Sequence, residues 1–233
     1  MGFYYFDYTY FVFILPALIV SVIAQAKVSS AFRQYSQITN SRGITGEQAA
    51  EQVLRMGNVL NVRIQAIAGN LTDNFNPRTG VISLSGNVYH SATIASVGVA
   101  AHEAGHAVQY TTGYWPIRIR SFLVPVVQIG SSLSMPLIII GLLLPVQYSI
   151  VVDMGIALYS LAVLFSILTL PVEFNASRRA IRALEEAEIL NPEELTGAKK
   201  VLSAAAMTYV ASTFTALMSL LRLLVIADRR NRR

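Results

Sequence analysis

The feature that most constrains this chain is a set of long stretches free of charge. A bilayer core offers the backbone no water, so a spanning helix needs about 20 consecutive apolar residues, with its peptide groups bonded inside the segment. The first stretch, Tyr8 to Ala26, is uncharged, and Tyr4, Tyr5, Tyr8 and Tyr10 supply an aromatic interfacial belt at its start. It ends in Ala24-Gln25-Ala26, which looks like a signal cleavage site. Asp7 precedes it with no Lys or Arg, however, so an uncleaved anchor is expected. A second apolar region runs from Ser121 to Val172, broken by Pro145-Val146-Gln147-Tyr148 and then Asp153. It reads as a helical hairpin with limbs Phe122 to Leu144 and Tyr148 to Val172, each long enough to cross with some tilt. The last stretch, Val201 to Leu221, is uncharged but rich in Ala, Ser and Thr, and its composition suits either a span or packing against protein.

Composition agrees with a membrane chain: 54% of residues are hydrophobic and 13% charged, against about 25% charged in soluble domains. The net charge of +5 follows topology. Lys27, Arg33 and Arg42 follow the first span, Arg118 and Arg120 precede the second, and Arg178, Arg179 and Arg182 follow the third. All three clusters fall on one side, which the positive-inside rule makes cytoplasmic, with the N-terminus and the Pro145 turn outside. Arg229, Arg230, Arg232 and Arg233 run against this scheme, because a fourth complete span would put them outside. No basic stripe carries interleaved aromatics, so nucleic acid is not an expected partner; the lipid bilayer is. The chain has no cysteine, which excludes disulfides, thiolate chemistry and iron-sulfur clusters. Any metal site must be built from His and carboxylates.

Four segments follow: an anchor over residues 1–28, a cytoplasmic α+β domain over 29–120, a transmembrane hairpin over 121–172 and a helical region over 173–233. Within the second, Thr45 with Gln48 forms a capping-box pattern before an amphipathic helix through Ala49, Ala50, Val53 and Leu54. Asn61 to Ala66 alternates like a half-buried strand, Asn70 to Gly80 is dense in turn residues, and Val81 to Ser85 is a second strand. A helix is expected from Ser91 to about Tyr110. Glu173 to Leu190 has helical spacing with a charged face, and Asn191-Pro192-Glu193-Glu194 restarts a helix with a cap, a first-turn Pro and first-turn acids.

Of three histidines, two bracket a glutamate in His102-Glu103-Ala104-Gly105-His106. Residues four apart share a helix face, so both imidazoles can reach one metal while Glu103 stands beside it to hold and deprotonate a water. This is the zinc metallopeptidase signature, since neutral imidazole ligates zinc and the metal acidifies water. A catalytic zinc takes three protein ligands and keeps one position open. Glu173, at the end of the third span, is the leading candidate for the third. His90 and Asp153 compete with it, although topology places Asp153 toward the outer leaflet.

The chain resembles the YugP-like neutral zinc metallopeptidases, which are membrane-bound and of gluzincin type. The likeness is carried by Gly69-Asn70-Leu71-Thr72-Asp73 with Pro77-Arg78, Leu84-Ser85, Val99 to Gln109, Leu170-Pro171-Val172-Glu173-Phe174, and Ala176-Ser177-Arg178-Arg179. It implies one zinc held by His102, His106 and Glu173, with Glu103 as catalytic acid and base. The fold it implies is a mainly α membrane protein with a small α+β zincin-like catalytic domain and three to four transmembrane helices. Asp73-Asn74-Phe75-Asn76-Pro77 departs from the family's Asp-His-Tyr-Asp-Pro. The arrangement is also similar to that of HtpX-like and Ste24-like membrane proteases, which have an Asp where Ser177 stands here. A partner for a ligand histidine is therefore expected from Asn175 or a backbone carbonyl.

The expected function is membrane-anchored zinc-dependent hydrolysis of a peptide or protein substrate, with the site on the cytoplasmic face of a bacterial cell membrane. Strand Val81 to Ser85 is a candidate sheet edge for an extended substrate, and Tyr209 a candidate oxyanion donor. Two alternatives stand beside it. One is an intramembrane protease whose active helix spans, with Asp153 as third ligand. The other is a non-catalytic adaptor with a closed structural zinc, for which His90 would be the fourth ligand.

Overall fold

A computed structural model of the chain describes residues 8–70 and 72–232. Tyr4, Tyr5, Asp7, Leu71 and Arg233 lie outside the described residues. The elements run α1 (Leu15–Tyr35), α2 (Gly46–Met56), β1 (Arg63–Ile67), β2 (Asn74–Asn76), β3 (Val81–Ser85), α3 (Gly86–Tyr89), α4 (Ile94–Thr111), α5 (Trp115–Leu143), α6 (Ile150–Glu186) and α7 (Pro192–Asn231). A π-helical turn at Tyr10–Ile14 leads into α1. Four helical segments are long and apolar enough to cross a membrane: Tyr10–Tyr35, Trp115–Leu143, Val146–Glu186 and Pro192–Asn231. The chain is therefore a mainly α membrane protein with a small α+β part. The stretch Val201 to Leu221 lies inside a 40-residue helix.

The described residues form two compact units. The first takes the chain up to Ala24, Phe122–Thr169 and Thr208 onward, and is entirely helical but for the Pro145 turn. Its core gathers Ile138 of α5, Val152 and Ile156 of α6, and Leu223 and Ala227 of α7. Small residues let α5 and α6 approach. A Cβ on Gly155 would stand 2.9 Å from the Ser134 carbonyl oxygen, the kind of contact that helices use in lipid, where there is no hydrophobic drive between them. Leu18, Ile19, Val22, Ile129, Ile139 and Leu164 remain exposed, as suits side chains that meet acyl chains. The basic C-terminus is taken up within this unit. Arg222 Nε donates to Thr9 Oγ1 at 3.0 Å and its guanidinium lies 3.8 Å over the Tyr10 ring. Arg229 lies 4.5 Å over the Tyr8 ring, and Arg230 Nη2 donates to the carbonyls of Leu144 and Pro145 at 2.6 and 3.2 Å.

The second unit comprises Gln25–Ser121 and Leu170–Met207. Its core is built on α4, whose Ala95, Ala100, Ala101, Ala104 and Ala107 are wholly buried in one cluster with residues of α2, β3, the C-terminal part of α6 and the N-terminal part of α7. Helix α2 opens with the expected capping box: Thr45 Oγ1 accepts from Gln48 N at 3.3 Å and Gln48 Oε1 from Thr45 N at 3.0 Å. Asn191 Oδ1 caps α7, accepting from the amides of Glu193 and Glu194 at 3.0 and 2.9 Å.

Three expectations are corrected here. The segment Asn70 to Gly80 is not all loop, because Asn74–Asn76 pairs antiparallel to β3 in the register Phe75↔Ile82. Three residues are too few for alternation to show in a sequence dense in Asn. Strand β3 is not a sheet edge: the order is β1-β3-β2, with β1 parallel to β3, and all five β3 residues are buried. It is the central core strand, and the edges belong to β1 and β2. Glu173 does not begin a helix. Helix α6 runs unbroken past Pro171, because Val172, Ala176, Ala180 and Leu184 continue one buried stripe.

Candidate metal centre

The site sits beside a close approach of α4 to α6. A Cβ on Gly105 would stand 2.7 Å from the carbonyl oxygen of Ala176, so the absence of a side chain at Gly105 allows the two backbones to approach. Helical spacing puts His102 and His106 on one face of α4, Gly105 lies three residues after His102, and Glu173 on α6 lies within a turn of Ala176. The result is a converged group. One ligand atom from each of His102, His106 and Glu173 lies within 4.8 Å of the others. His102 Nε2 is 3.3 Å and His106 Nε2 3.4 Å from Glu173 Oε2, and the Glu173 side chain is 2% exposed.

The outer nitrogen of each imidazole has a partner. Ser177 Oγ is 3.1 Å from His102 Nδ1, and Gln109 Oε1 is 3.0 Å from His106 Nδ1. Ser177 itself stands where Asn175 or a carbonyl was expected, because one turn past Glu173 is the distance at which an α6 side chain reaches back to α4. Asn175 acts one step further out: its Oδ1 accepts from Arg179 Nε at 2.8 Å and from Gln109 Nε2 at 2.9 Å. Gln109 Nε2 also donates to the carbonyl of Val172 at 2.8 Å.

That network sets a tautomer. Arg179 can only donate, so Asn175 must present its oxygen, and Gln109 must present its NH2 to Asn175 and Val172. Gln109 Oε1 therefore faces His106 Nδ1, which must carry a proton, so Nε2 is the ring nitrogen turned toward Glu173 Oε2. A neutral ring would set two lone-pair atoms 3.4 Å apart, which repel in a buried site unless a proton on Nε2 or a metal ion lies between them. Tetrahedral zinc with nitrogen and oxygen ligands at about 2.0–2.1 Å separates those ligands by about 3.3–3.4 Å, which are the two distances found. The donor set, two imidazoles and one carboxylate, thus fits zinc.

Glu103, next to His102, is partly exposed. Burial pushes its carboxyl up to about 7; Glu173 and Asp73 push the same way, while His102 and Arg120 oppose them. Asp73 is held by Ser85, which donates its N–H at 2.7 Å and its hydroxyl at 3.1 Å, so the segment before β2 presents negative charge to Glu103. Arg120, near the start of α5, places Nη1 3.3 Å from Glu173 Oε1.

The remaining candidates lie elsewhere. His90 is exposed, stacks edge-on with Tyr89 and lines a cavity of about 450 Å³ with Phe32, Asn87 and Ser96. It does not join the ligand group, so among the described residues there is no fourth His or carboxylate to close the site. Asp153 and Tyr209 fall in the first unit, whereas the ligand group is in the second. Helix α4 is not among the four membrane-crossing candidates; it is the core helix of an α+β unit, which removes the basis for a spanning active helix. Gln109 and Arg120 were not singled out from the sequence. The signal for Gln109 was an uncharged polar residue three positions after His106 on an apolar helix; for Arg120 there was none beyond its place at a span end.

Fold and site together are those of a helical membrane protein with a two-histidine, one-carboxylate metal-binding group. Residues 10–228 match the family described as "Putative neutral zinc metallopeptidase", and the chain belongs to that family. It is 39% identical over 217 residues to the "Putative membrane protease YugP" of Bacillus subtilis (strain 168), covering 93% of this chain and 96% of that one. No solved structure matches the chain.

Proposed function

We propose that this protein is a membrane-anchored, zinc-dependent endopeptidase whose single zinc is held by His102, His106 and Glu173, with Glu103 as general base. The observation that carries the reading is the convergence of His102 Nε2 and His106 Nε2 on one oxygen of the buried Glu173 at 3.3 and 3.4 Å, with the outer nitrogen of each ring held by a partner. Zinc bound there would acidify a water and polarise the scissile carbonyl. The chain's own residues do the rest. Glu103 follows His102 on α4 and has a carboxyl raised toward 7, suited to take a proton from water and return it to the leaving amine. A dication beside it favours the ionised form, so the working value falls below 7. Gln109 and Ser177 hold the imidazoles in orientation, and His102 is oriented to offer Nε2 if its Nδ1–H donates to Ser177. The substrate is a peptide or protein, membrane-associated where it reaches a site carried on membrane helices. The basic residues flanking the spans support a cytoplasmic site in a bacterial cell membrane.

Zinc content per chain, measured on detergent-purified wild type beside Glu173→Ala at matched protein concentration, tests the ligand set. About one zinc in the wild type and sharply less in the variant is expected of a three-ligand site. Equal zinc in both would remove Glu173 from the set and the reading with it.

A further inference from the structure

The carboxylate of Glu173 is divided between two neighbours. Its Oε2 faces both imidazoles at 3.3 and 3.4 Å, and its Oε1 faces Arg120 Nη1 at 3.3 Å. The side chain is 2% exposed, and Oε1 makes no hydrogen bond, so the guanidinium is the charge that compensates it in a buried place. Arg120 comes from α5, a different helix from either ligand helix, and is anchored by the packed first turns of that helix, where Ile117 is 3% exposed.

We propose that Arg120 is a positioning residue that keeps Glu173 a one-oxygen ligand. This rests on the zinc reading above and deepens it. A carboxylate beside a dication can bind through one oxygen or both. If both oxygens of Glu173 turned to the metal, the protein would supply four ligand atoms beside the water, making the site five-coordinate and crowding the position into which a substrate carbonyl must come. The fixed cation on Oε1 opposes that rotation, because swinging Oε1 inward would abandon a buried charge contact. Arg120 thereby converts a donor set that could close into one that stays open. A lysine at this position keeps a positive charge within reach of Oε1, whereas methionine keeps the bulk and loses the charge.

Cobalt(II) in place of zinc reports coordination number directly, since its visible absorption is strong in four-coordinate sites and weakens as ligands are added. Wild type, Arg120→Lys and Arg120→Met are purified in detergent, stripped, reloaded with cobalt and compared at equal bound metal. The wild type and Arg120→Lys are expected to share an intense band, and Arg120→Met to fall to roughly half or less as Glu173 turns in its second oxygen. A merely structural role for Arg120 would change how much cobalt is bound without changing the band per bound ion. An unchanged band per ion in Arg120→Met overturns the proposal while leaving the metal site intact. Failure of the wild type to take up cobalt or zinc would instead remove the metal reading and this proposal together. Arg120→Ala, with the same expected weakening, replaces the Met variant if that one does not fold.

Discussion

Glu103 and its two flanking histidines were legible from spacing alone, whereas the residues that orient the histidines were not. Ser177 becomes the partner of His102 only once α6 lies across α4, 75 residues away, and Gln109, three residues after His106 on the same helix, has its amide orientation fixed by Val172, 63 residues away, which no local pattern encodes. Gln109 is wholly buried and its amide makes three hydrogen bonds. Gln109→Leu is therefore expected to free the His106 tautomer and lower zinc affinity about 10–100-fold, measured by competition with a chromophoric chelator; wild-type affinity in that variant would disprove the orienting role. Glu103 gives a pH prediction. Its carboxyl is raised from 4.5 to about 7 in the folded metal-free protein, so the folded state holds a proton that the unfolded chain has released. Its contribution is full below pH 4.5 and is lost as pH rises through 7. Thermal midpoints of the metal-free protein should fall over that window, and Glu103→Gln should flatten the fall. The same variant is expected to retain zinc and lose about 10²–10⁴-fold in peptide cleavage.

At the scale of elements, what the sequence shows depends on length. Helix α2 was readable because a capping box and four buried apolar positions occur within 11 residues. Strand β2 was hidden because it has only three residues, and the placing of β3 between β1 and β2 depends on sheet order, which alternation does not report. The unbroken course of α6 through Pro171 was hidden for another reason. The change from an apolar to a charged face looks like a helix start, yet the buried alanine stripe continues beneath it. The contact that makes the site is likewise one between elements. With the Ala176 carbonyl 2.7 Å from a Cβ at Gly105, α4 and α6 must separate to admit any larger residue. Gly105→Val is expected to destabilise the fold by about 1–3 kcal/mol and to pull Glu173 away from the imidazoles, so zinc affinity should drop along with the thermal midpoint in detergent. A variant that lost stability but bound zinc as the wild type does would show that the ligands are held independently of this helix contact.

On the scale of the whole molecule, the question is how many times the chain crosses. If all four helices of sufficient length and apolarity cross, the number of crossings is even, which would put both chain ends on one side and residues 36–114 on the other. The C-terminal arginines, which conflicted with the charge rule, are accommodated in the helical unit itself. Arg222 and Arg229 stack on Tyr10 and Tyr8 beside the N-terminal segment, Arg230 binds the carbonyls that enter the Pro145 turn, and Arg232 pairs with Asp228 at 3.0 Å. Charges engaged in this way, beside the chain's own start and its Pro145 turn, belong at the end of the unit where those two features lie. The charge rule is statistical and is dominated by the earlier clusters at Lys27, Arg118 and Arg178. Because the chain has no cysteine, single substitutions read topology without background. Leu60→Cys, on a residue 86% exposed in the second unit, is expected to react with an impermeant maleimide only after the cells are opened. Val146→Cys and Asn231→Cys should react in intact cells. If Asn231→Cys behaves like Leu60→Cys, α7 does not cross, three spans remain, and the arginine contacts with Tyr8, Tyr10 and the Pro145 turn cannot form in the membrane.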